Sequence, residues 1–268
     1  MPLEQIVLLA LVQGITEFLP ISSSGHLILL PKVMGWHDQG LITDVMVHMG
    51  SFLAVVVYFW RDILGMLQGV FELLRGRLTP AGRLALLIIV GTIPAVAFGL
   101  FMKLSGLQDS LRLPLLIAIN AVLFGLVMLF ADRMGRQART AEELGVVEAL
   151  VIGVAQAVAI IPGVSRSGIT MSAGRLYGLK RTEAARFSFL LGIPAIAGAG
   201  VLVLGEAVEK GVTISADAIL AGVLTFFVAL AAIAFLMKII TRAGLLPFVI
   251  YRFVLAAVLG WMMLSGQL

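Results

Sequence analysis

The sequence predicts an all-α integral membrane protein with six full transmembrane helices and two re-entrant helical hairpins in an inverted-topology repeat. The composition, the apolar segments and the distribution of basic residues carry this prediction. Of the 268 residues, 60% are hydrophobic and only 13% are charged, whereas a soluble domain carries about 25% charged residues. The chain has no cysteine, which excludes disulfide frameworks, thiolate metal sites and cysteine nucleophiles.

Six segments are apolar and long enough to be candidates for crossing a bilayer, which takes roughly 17–25 residues per helix. The first is slightly short and contains His48, the last contains Arg252, and the other four have no charged residue. In chain order the predicted spans are residues 45–60, 84–102, 113–131, 187–205, 218–237 and 243–268.

The Lys and Arg residues orient these spans. Most of the 19 basic residues lie in the stretches 61–83, 133–139, 175–186 and 238–242, which we assign to the cytoplasm because cytoplasmic loops carry an excess of Lys and Arg. A net charge of +4 could suggest nucleic acid. Short basic loops between apolar segments are instead typical of topology signals, so no nucleic-acid partner is expected.

The segment 144–177 joins two stretches on the same side, so it must cross twice or not at all. Its apolar arms, 146–161 and 169–177, flank a polar run over residues 162–168. The second arm spans roughly 13 Å, about half a bilayer. This length predicts a re-entrant hairpin.

The N-terminus repeats this design at a constant offset of 143 residues. The repeated positions are Gln13, Ser22, Ser24 and Gly25, matched by Gln156, Ser165, Ser167 and Gly168. One hairpin and three spans per half give the halves opposite orientations. We therefore predict a single transmembrane domain, 1–268, with half-repeats of about 1–131 and 144–268 and hairpin tips that meet near the midplane.

Polar side chains in the hairpins predict the site, because ionisable groups at membrane depth are costly and usually functional. Gln13 and Glu17 share one helical face, and their oxygens suit a divalent cation such as Mg²⁺ or Ca²⁺. A polar pair bonded to a neighbouring helix is the alternative, and it stays open for Gln13. His26 lies in the first turn of the next helix, where it could act as nucleophile or acid/base. His48 is a weaker candidate.

Arg166 is the strongest signal, because a guanidinium at membrane depth needs an anion and its planar fork fits phosphate oxygens. A buried Arg166–Glu17 pair that only locks the hairpins is the alternative. Arg252 remains open between packing and ligand binding. Serines at a helix start serve as caps and also mark an anion site. A phosphate or diphosphate with its tail in lipid accounts for the whole set, and its expected contacts are Ser22, Ser24, Gly25, Gly163, Ser165, Ser167 and Thr170.

These motifs resemble the signatures of the bacterial undecaprenyl-diphosphate phosphatase family, also called the bacitracin-resistance protein family. The signatures are [E/Q]-x-x-x-E with a serine-rich stretch ending in Gly-His, and P-G-x-S-R-S-x-x-T. The chain has Gln13-Gly-Ile-Thr-Glu17, Ser22-Ser-Ser-Gly-His26 and Pro162-Gly-Val-Ser-Arg-Ser-Gly-Ile-Thr170. The resemblance extends over essentially the whole chain, including Tyr251-Arg252-Phe253.

The resemblance implies a divalent-metal-dependent phosphatase in the bacterial cytoplasmic membrane, with its site open to the periplasmic or outer side. It would convert undecaprenyl diphosphate to undecaprenyl phosphate and so recycle the lipid carrier for peptidoglycan synthesis. Glu17 and Gln13 would serve the metal or activate water, and Arg166 would clamp the diphosphate. Ser23, His26 and a metal-bound water remain alternative nucleophiles. Many family members have Glu where this chain has Gln13, which shifts acid/base work to Glu17 and His26.

The expected partners are the polyprenyl diphosphate and membrane lipids, with a homodimer as an option, and bacitracin would act on the substrate rather than on the protein. A transporter that flips the polyprenyl phosphate carrier through the same site is the alternative function. Phosphatases related to phosphatidic acid phosphatase are excluded, because they require a His six residues after the Ser-Arg pair, where this chain has Ser172.

Overall fold

The computed structural model describes residues 1–107 and 109–268. This part of the chain contains eleven α-helices and two short 3₁₀ turns at Asp109–Leu111 and Ala141–Glu143. In chain order the helices are α1 (Leu3–Thr16), α2 (Ser23–Met34), α3 (Leu41–Tyr58), α4 (Trp60–Leu74), α5 (Pro80–Ser105), α6 (Pro114–Met134), α7 (Val146–Val158), α8 (Arg166–Leu176), α9 (Arg181–Glu209), α10 (Ala216–Ala243) and α11 (Leu246–Leu264).

Six of these helices are long and apolar enough to cross a membrane, which confirms the six predicted spans. They are α3, α5, α6, α9, α10 and α11. Most extend beyond the apolar segment at one or both ends, because a helix continues into the polar residues that cap it. The last span is shorter than predicted at its start: Gly244, with φ of 61°, ends α10 and α11 begins at Leu246.

Four short helices form two pairs at the places where the hairpins were predicted. The pairs are α1 with α2, of 14 and 12 residues, and α7 with α8, of 13 and 11 residues. At 1.5 Å per residue even α1 is about 21 Å long, less than the roughly 30 Å of a bilayer core. The lengths suit re-entrant arms. The insertion of these arms from opposite sides and the inverted repeat stay predictions.

The second arm of each pair begins in the same unusual backbone conformation. Ser22 and Ser165 have φ of 75° and 74°, and they alone among the non-glycine residues described have positive φ. Each caps its helix, with Oγ accepting the backbone N–H of Gly25 or Gly168. Such strain costs on the order of 1–3 kcal/mol and clusters at functional sites. The strain falls at equivalent positions of the two halves, 143 residues apart.

The hairpin tips meet through reciprocal contacts. A Cβ on Gly25 would lie 3.8 Å from the Gly163 Cα, and a Cβ on Gly168 would lie 3.4 Å from the Pro20 Cβ. The offset of 143 converts one contact into the other, as an approximate two-fold relation requires. The Ser167 Oγ also donates to the Leu19 carbonyl oxygen at 3.1 Å. The tips therefore form one packed junction.

Two pairs of helices cross at very short distance. A Cβ on Gly153 would lie 2.2 Å from the Gly91 carbonyl oxygen, where α7 packs on α5. A Cβ on Gly50 would lie 2.1 Å from the Gly222 carbonyl oxygen, where α3 packs on α10. Any side chain at Gly50 or Gly153 would force the backbones apart.

The basic stretches contain more structure than the sequence suggested. The stretch 61–83, expected to be a basic loop, contains most of α4, whose Leu67 and Phe71 are exposed. Arg175, assigned to a cytoplasmic stretch, lies inside α8 and is only 1% exposed. Its guanidinium donates to Asp132 on α6. Arg175 therefore stabilises a helix contact and cannot serve as a free charge at the membrane surface.

Candidate active site

An ion pair between the two hairpins forms the centre of the site. The Arg166 Nη2 lies 2.9 Å from the Glu17 Oε1, and these side chains are 15% and 6% exposed. Glu17 follows α1, and Arg166 is the first residue of α8. The acid predicted from the first half and the guanidinium predicted from the second half are therefore in direct contact.

Helix α9 packs against the Arg166 guanidinium and positions it. The Arg166 Nη1 donates to the Ser188 carbonyl oxygen at 3.1 Å. One turn later, a Cβ on Gly192 would lie 2.0 Å from the same Nη1, so only glycine leaves room for it. The Thr170 and Ser188 hydroxyls lie 2.7 Å apart. Ser188 and Gly192 were not predicted from the sequence, because nothing in an apolar span reveals which side chain packs against it.

The second oxygen of the Glu17 carboxylate faces a different set of groups. The Ser23 Oγ donates to Oε2 at 2.6 Å, and the Gln13 Nε2 donates to it at 3.2 Å. The His48 Nε2 lies 3.8 Å from the same oxygen. Glu17 thus contacts Arg166 through one oxygen and Ser23, Gln13 and His48 through the other. His48, ranked low from the sequence, belongs to the site; its position early in a span gave only a weak signal.

Gln13 is fully buried, and its Oε1 has no hydrogen-bond partner. A buried acceptor without a partner is costly, and an oxygen beside a carboxylate is a ligand that a divalent cation prefers. The predicted cation therefore fits at Gln13 and Glu17. The described residues contain no group of three His, Cys, Asp or Glu side chains that could hold a metal, so amide, water or substrate oxygens would complete the coordination.

His26 is held in one tautomer by its two hydrogen bonds. Its Nδ1 lies 2.7 Å from the Ser22 carbonyl oxygen, and its Nε2 lies 2.7 Å from the Tyr251 Oη. A carbonyl oxygen only accepts hydrogen bonds, so Nδ1 carries the ring proton. Nε2 of the neutral ring then accepts a hydrogen bond from the Tyr251 hydroxyl. Within the described chain His26 bonds to neither Glu17 nor Arg166. Tyr251, quoted from the sequence only as part of a family segment, is thus the direct partner of a predicted catalytic residue.

The predicted contact residues of the second hairpin are buried and already bonded within the protein. Ser167 bonds to Leu19, and Thr170 donates to the Arg166 carbonyl oxygen at 2.7 Å. Ser165 caps α8. These bonds favour a role in positioning Arg166. In the first hairpin, the Ser24 Oγ lies 3.4 Å from the Ser22 Oγ, and both hydroxyls lie at the start of α2.

Arg252 has a structural position. It is 1% exposed, and its guanidinium donates to four backbone carbonyl oxygens at 2.8–3.2 Å. The acceptors are Asn120, Ala121, Gly163 and Val164. Arg252 therefore ties the tip of the second hairpin to α6, which resolves the open choice in favour of packing. The Gly163 carbonyl oxygen is engaged by this bond, so only its N–H side remains for a ligand.

Comparison with known proteins gives one consistent result. The family described as bacitracin resistance protein BacA matches residues 6–258. The undecaprenyl-diphosphatase of Maricaulis maris (strain MCS10) is 50% identical over 257 residues, covering 94% of this chain and 96% of that protein. The undecaprenyl-diphosphatase of Erythrobacter litoralis (strain HTCC2594) is 47% identical, and the alignment covers 92% of this chain and 95% of that protein. The undecaprenyl-diphosphatase of Jannaschia sp. (strain CCS1) is 45% identical, with coverages of 97% and 98%.

Proposed function

The chain belongs to the BacA family and is an undecaprenyl-diphosphatase, and we propose that it cleaves the diphosphate where its two hairpins meet. The products would be undecaprenyl phosphate, the lipid carrier for peptidoglycan synthesis, and inorganic phosphate. The buried Glu17–Arg166 contact at 2.9 Å carries the proposal, because it joins the two family motifs at one point inside a multi-pass membrane protein.

Arg166 would bind and neutralise the diphosphate. A guanidinium has five N–H donors, and the structure engages Nη1 with Ser188 and Nη2 with Glu17. The remaining donors stay available for phosphate oxygens. Charge neutralisation is the main contribution that proteins make to phosphoryl transfer. The ion pair with Glu17 would hold Arg166 in place until the substrate arrives, so the structural and functional readings of Arg166 are compatible.

Ser23 is the nucleophile that the geometry favours. Its Oγ donates to the Glu17 Oε2 at 2.6 Å, and Glu17 is oriented in turn by Arg166, which is the arrangement of an activated hydroxyl. In this proposal Ser23 attacks the terminal phosphorus, its proton passes to Glu17 and the bond to the bridging oxygen breaks. Undecaprenyl phosphate leaves with the bridging oxygen. Water then attacks the phosphoserine and gives one proton to a base, Glu17 returns its proton to the departing Ser23 Oγ, and inorganic phosphate is released.

His26 is the second candidate. Its Nε2 lone pair points to Tyr251 and not to Glu17, so attack by His26 requires that this hydrogen bond break first. As a base for the hydrolytic water, His26 could keep this hydrogen bond: the water would give its proton to the Tyr251 hydroxyl oxygen, and the Tyr251 hydroxyl proton would pass to Nε2. The two candidates differ in the covalent intermediate, which is a phosphoserine or a phosphohistidine.

A divalent cation held by Glu17 and the Gln13 Oε1 would supply further positive charge beside the phosphoryl oxygens. The partnerless amide oxygen of Gln13 supports this assignment.

We propose, as the family resemblance implies, that the site opens to the periplasmic or outer side. The Lys and Arg distribution orients only the spans around it. The predicted partners remain the lipid substrate and the bilayer, with bacitracin acting on the substrate and a homodimer as an option.

The reciprocal tip contacts favour one further candidate function, transport of the polyprenyl phosphate. Two-fold-related halves that meet near the membrane midplane are typical of alternating-access carriers. Lipid movement in sealed vesicles by a Glu17→Ala variant would support transport, and phosphate release in detergent micelles would report only the hydrolase.

The test of the hydrolase proposal is phosphate release from a C55 prenyl diphosphate by purified protein in detergent, with and without EDTA. We expect Arg166→Ala and Glu17→Gln to lose at least about a hundredfold in rate, which corresponds to roughly 2.7 kcal/mol. Arg133→Lys, an exposed position at the end of α6, is the control and should retain full activity. Acid-quench trapping separates the nucleophiles, and full turnover by Ser23→Ala would exclude Ser23.

A further inference from the structure

His48 occupies a position that the Glu17–Arg166 pair alone does not explain. It lies in the second turn of α3, on a helix that belongs to neither hairpin. Its Nε2 is 3.8 Å from the Glu17 Oε2, and its side chain is 32% exposed. The ring therefore approaches the buried carboxylate from a partly exposed side.

The other ring nitrogen fixes the chemistry of the one that faces Glu17. The His48 Nδ1 lies 2.7 Å from the Asp44 carbonyl oxygen, which only accepts, so Nδ1 carries a proton. In the neutral ring Nε2 then carries a lone pair, 3.8 Å from the Glu17 carboxylate. Histidines that bind metals almost always donate their second ring N–H to a carbonyl or carboxylate in this way.

Two groups that both carry electron pairs repel unless a positive charge lies between them. An unprotonated His48 Nε2, 3.8 Å from the Glu17 Oε2, would form such a pair with it, and the partnerless Oε1 of Gln13 adds a third group with electron pairs. The Gln13 amide now presents its Nε2 to the Glu17 Oε2 at 3.2 Å. A half-turn of the amide would bring Oε1 to that position.

The separations suit one cation. Two ligands of the same ion, with bonds of about 2.1–2.5 Å, lie roughly 3–4 Å apart. The distances from the Glu17 Oε2 to the Gln13 amide and to the His48 Nε2, 3.2 and 3.8 Å, fall in this range. The opposite carboxylate oxygen remains paired with Arg166, so the guanidinium and the cation would occupy different sides of Glu17.

We propose that His48 is a third ligand of the divalent cation, together with Glu17 and Gln13, and that the site therefore accepts a first-row transition ion such as Mn²⁺. The inference rests on the proposed metal-assisted site and adds a nitrogen donor to it. Imidazole suits transition ions such as Fe²⁺, Ni²⁺ and Zn²⁺, whereas oxygen ligands alone suit Mg²⁺, Ca²⁺ and Mn²⁺. A set of oxygens with one imidazole therefore extends the range of ions to transition metals, and Mn²⁺ serves as the spectroscopic probe. Water and substrate oxygens would complete the coordination.

The test is Mn²⁺ binding to the purified, EDTA-treated protein, followed by electron spin-echo modulation. Directly bound imidazole gives a ¹⁴N modulation that changes to ¹⁵N when histidine alone is ¹⁵N-labelled, and this readout needs no substitution. We expect this signal in the unaltered chain, its loss in His48→Gln and its retention in His37→Gln. His37 lies in the exposed segment before α3, so it is a matched control.

Affinity gives a second readout. Loss of even an outer-shell partner weakens metal binding about 10- to 100-fold, so His48→Gln should weaken Mn²⁺ binding at least about tenfold. Ca²⁺ binding, which depends on oxygen ligands, should change much less. Gln13→Glu should tighten binding of both ions, a gain that misfolding cannot produce.

The outcomes separate this inference from the proposed function. Mn²⁺ that binds at Glu17 without a histidine nitrogen signal, or a signal that persists in His48→Gln, would overturn the role of His48 while leaving the phosphatase intact. A Ca²⁺ affinity that falls in parallel with the Mn²⁺ affinity would indicate that His48 only forms an ion pair or packs beside Glu17, and would also overturn it. Failure of the proposed function would instead appear as absent phosphate release.

Discussion

Gly192→Ala is the most direct test of whether the position of the Arg166 guanidinium controls the reaction. The added Cβ would lie 2.0 Å from the Arg166 Nη1, far inside van der Waals contact. The obstructing group is the end of a long side chain, so we expect Arg166 to move and the backbone to stay. The guanidinium would lose its 3.1 Å bond to the Ser188 carbonyl and shift from Glu17.

The magnitude follows from the bonds that are lost. A hydrogen bond involving a charged group contributes about 1.5–3 kcal/mol, and each 1.36 kcal/mol of transition-state stabilisation is a factor of ten in rate. Loss of one such bond should therefore lower kcat/KM roughly 10- to 150-fold. The assay is phosphate release from a C55 prenyl diphosphate in detergent, with thermal unfolding measured in parallel to show that the variant is folded.

Gly198→Ala is the matched control, because it lies on the same helix and a Cβ there meets no atom within 4 Å. It should keep full activity and gain up to about 1 kcal/mol in stability from the better helix former. In an Arg166→Ala background, Gly192→Ala should cost no further activity. Equal rates for Gly192→Ala and Gly198→Ala would refute the reasoning, and Arg166 would return to a purely structural role.

Three further predictions concern the surroundings of the site. Tyr251→Phe removes the hydroxyl that bonds to His26, so kcat should fall about three- to tenfold with a shifted pH–rate profile. Arg252→Met leaves four buried carbonyl oxygens without their donor, which should lower the free energy of unfolding by roughly 3 kcal/mol or more in thermal unfolding. Burial raises the pKa of Glu142, but the hydrogen bond and charge of Arg186, together with hydrogen bonds from the backbone and Thr140, outweigh burial and hold that pKa below its usual value. A lowered folded pKa gives stability that is present above the unfolded pKa of about 4.5 and lost as pH falls below it. The melting-temperature difference between the unaltered chain and Glu142→Gln should therefore shrink on acidification.

Each of these predictions has a result that would contradict it. An unchanged pH profile in Tyr251→Phe, with Tyr58→Phe as control, would mean that the hydroxyl does not act through His26. Full stability of Arg252→Met would mean that water replaces the guanidinium. A constant difference between pH 7 and pH 4 would show that Glu142 contributes through packing and not through charge.

The sequence predicted the contact between two charged groups that would each be costly to bury in a membrane without a partner. Glu17 and Arg166 are charges inside apolar sequence, and a membrane leaves each with few partners other than the other. The six spans were predicted for a similar reason, since length and apolarity are local properties. Two observations were enough to predict that the hairpin tips, which carry Glu17 and Arg166, meet. One is the half-bilayer length of the second hairpin arm, and the other is the distribution of Lys and Arg among the loops.

The missed residues depend on how helices cross, which a single sequence does not reveal. Gly192 and Ser188 contact Arg166 because α9 packs against it. Tyr251 bonds to His26 because α11 lies beside α2. His48 was ranked low because a histidine one turn into a span is compatible with many environments. Helix α4 was overlooked because its charged ends resemble a loop, and its amphipathic pattern lies between two basic clusters.

Pro20 and Gly25 contact Gly168 and Gly163 in a reciprocal way, and the Glu17–Arg166 ion pair joins the two halves of the chain. If these two residues catalyse the reaction as proposed, neither half alone contains a complete active site. A displacement of an ångström or two between the halves would then remove activity without unfolding any helix.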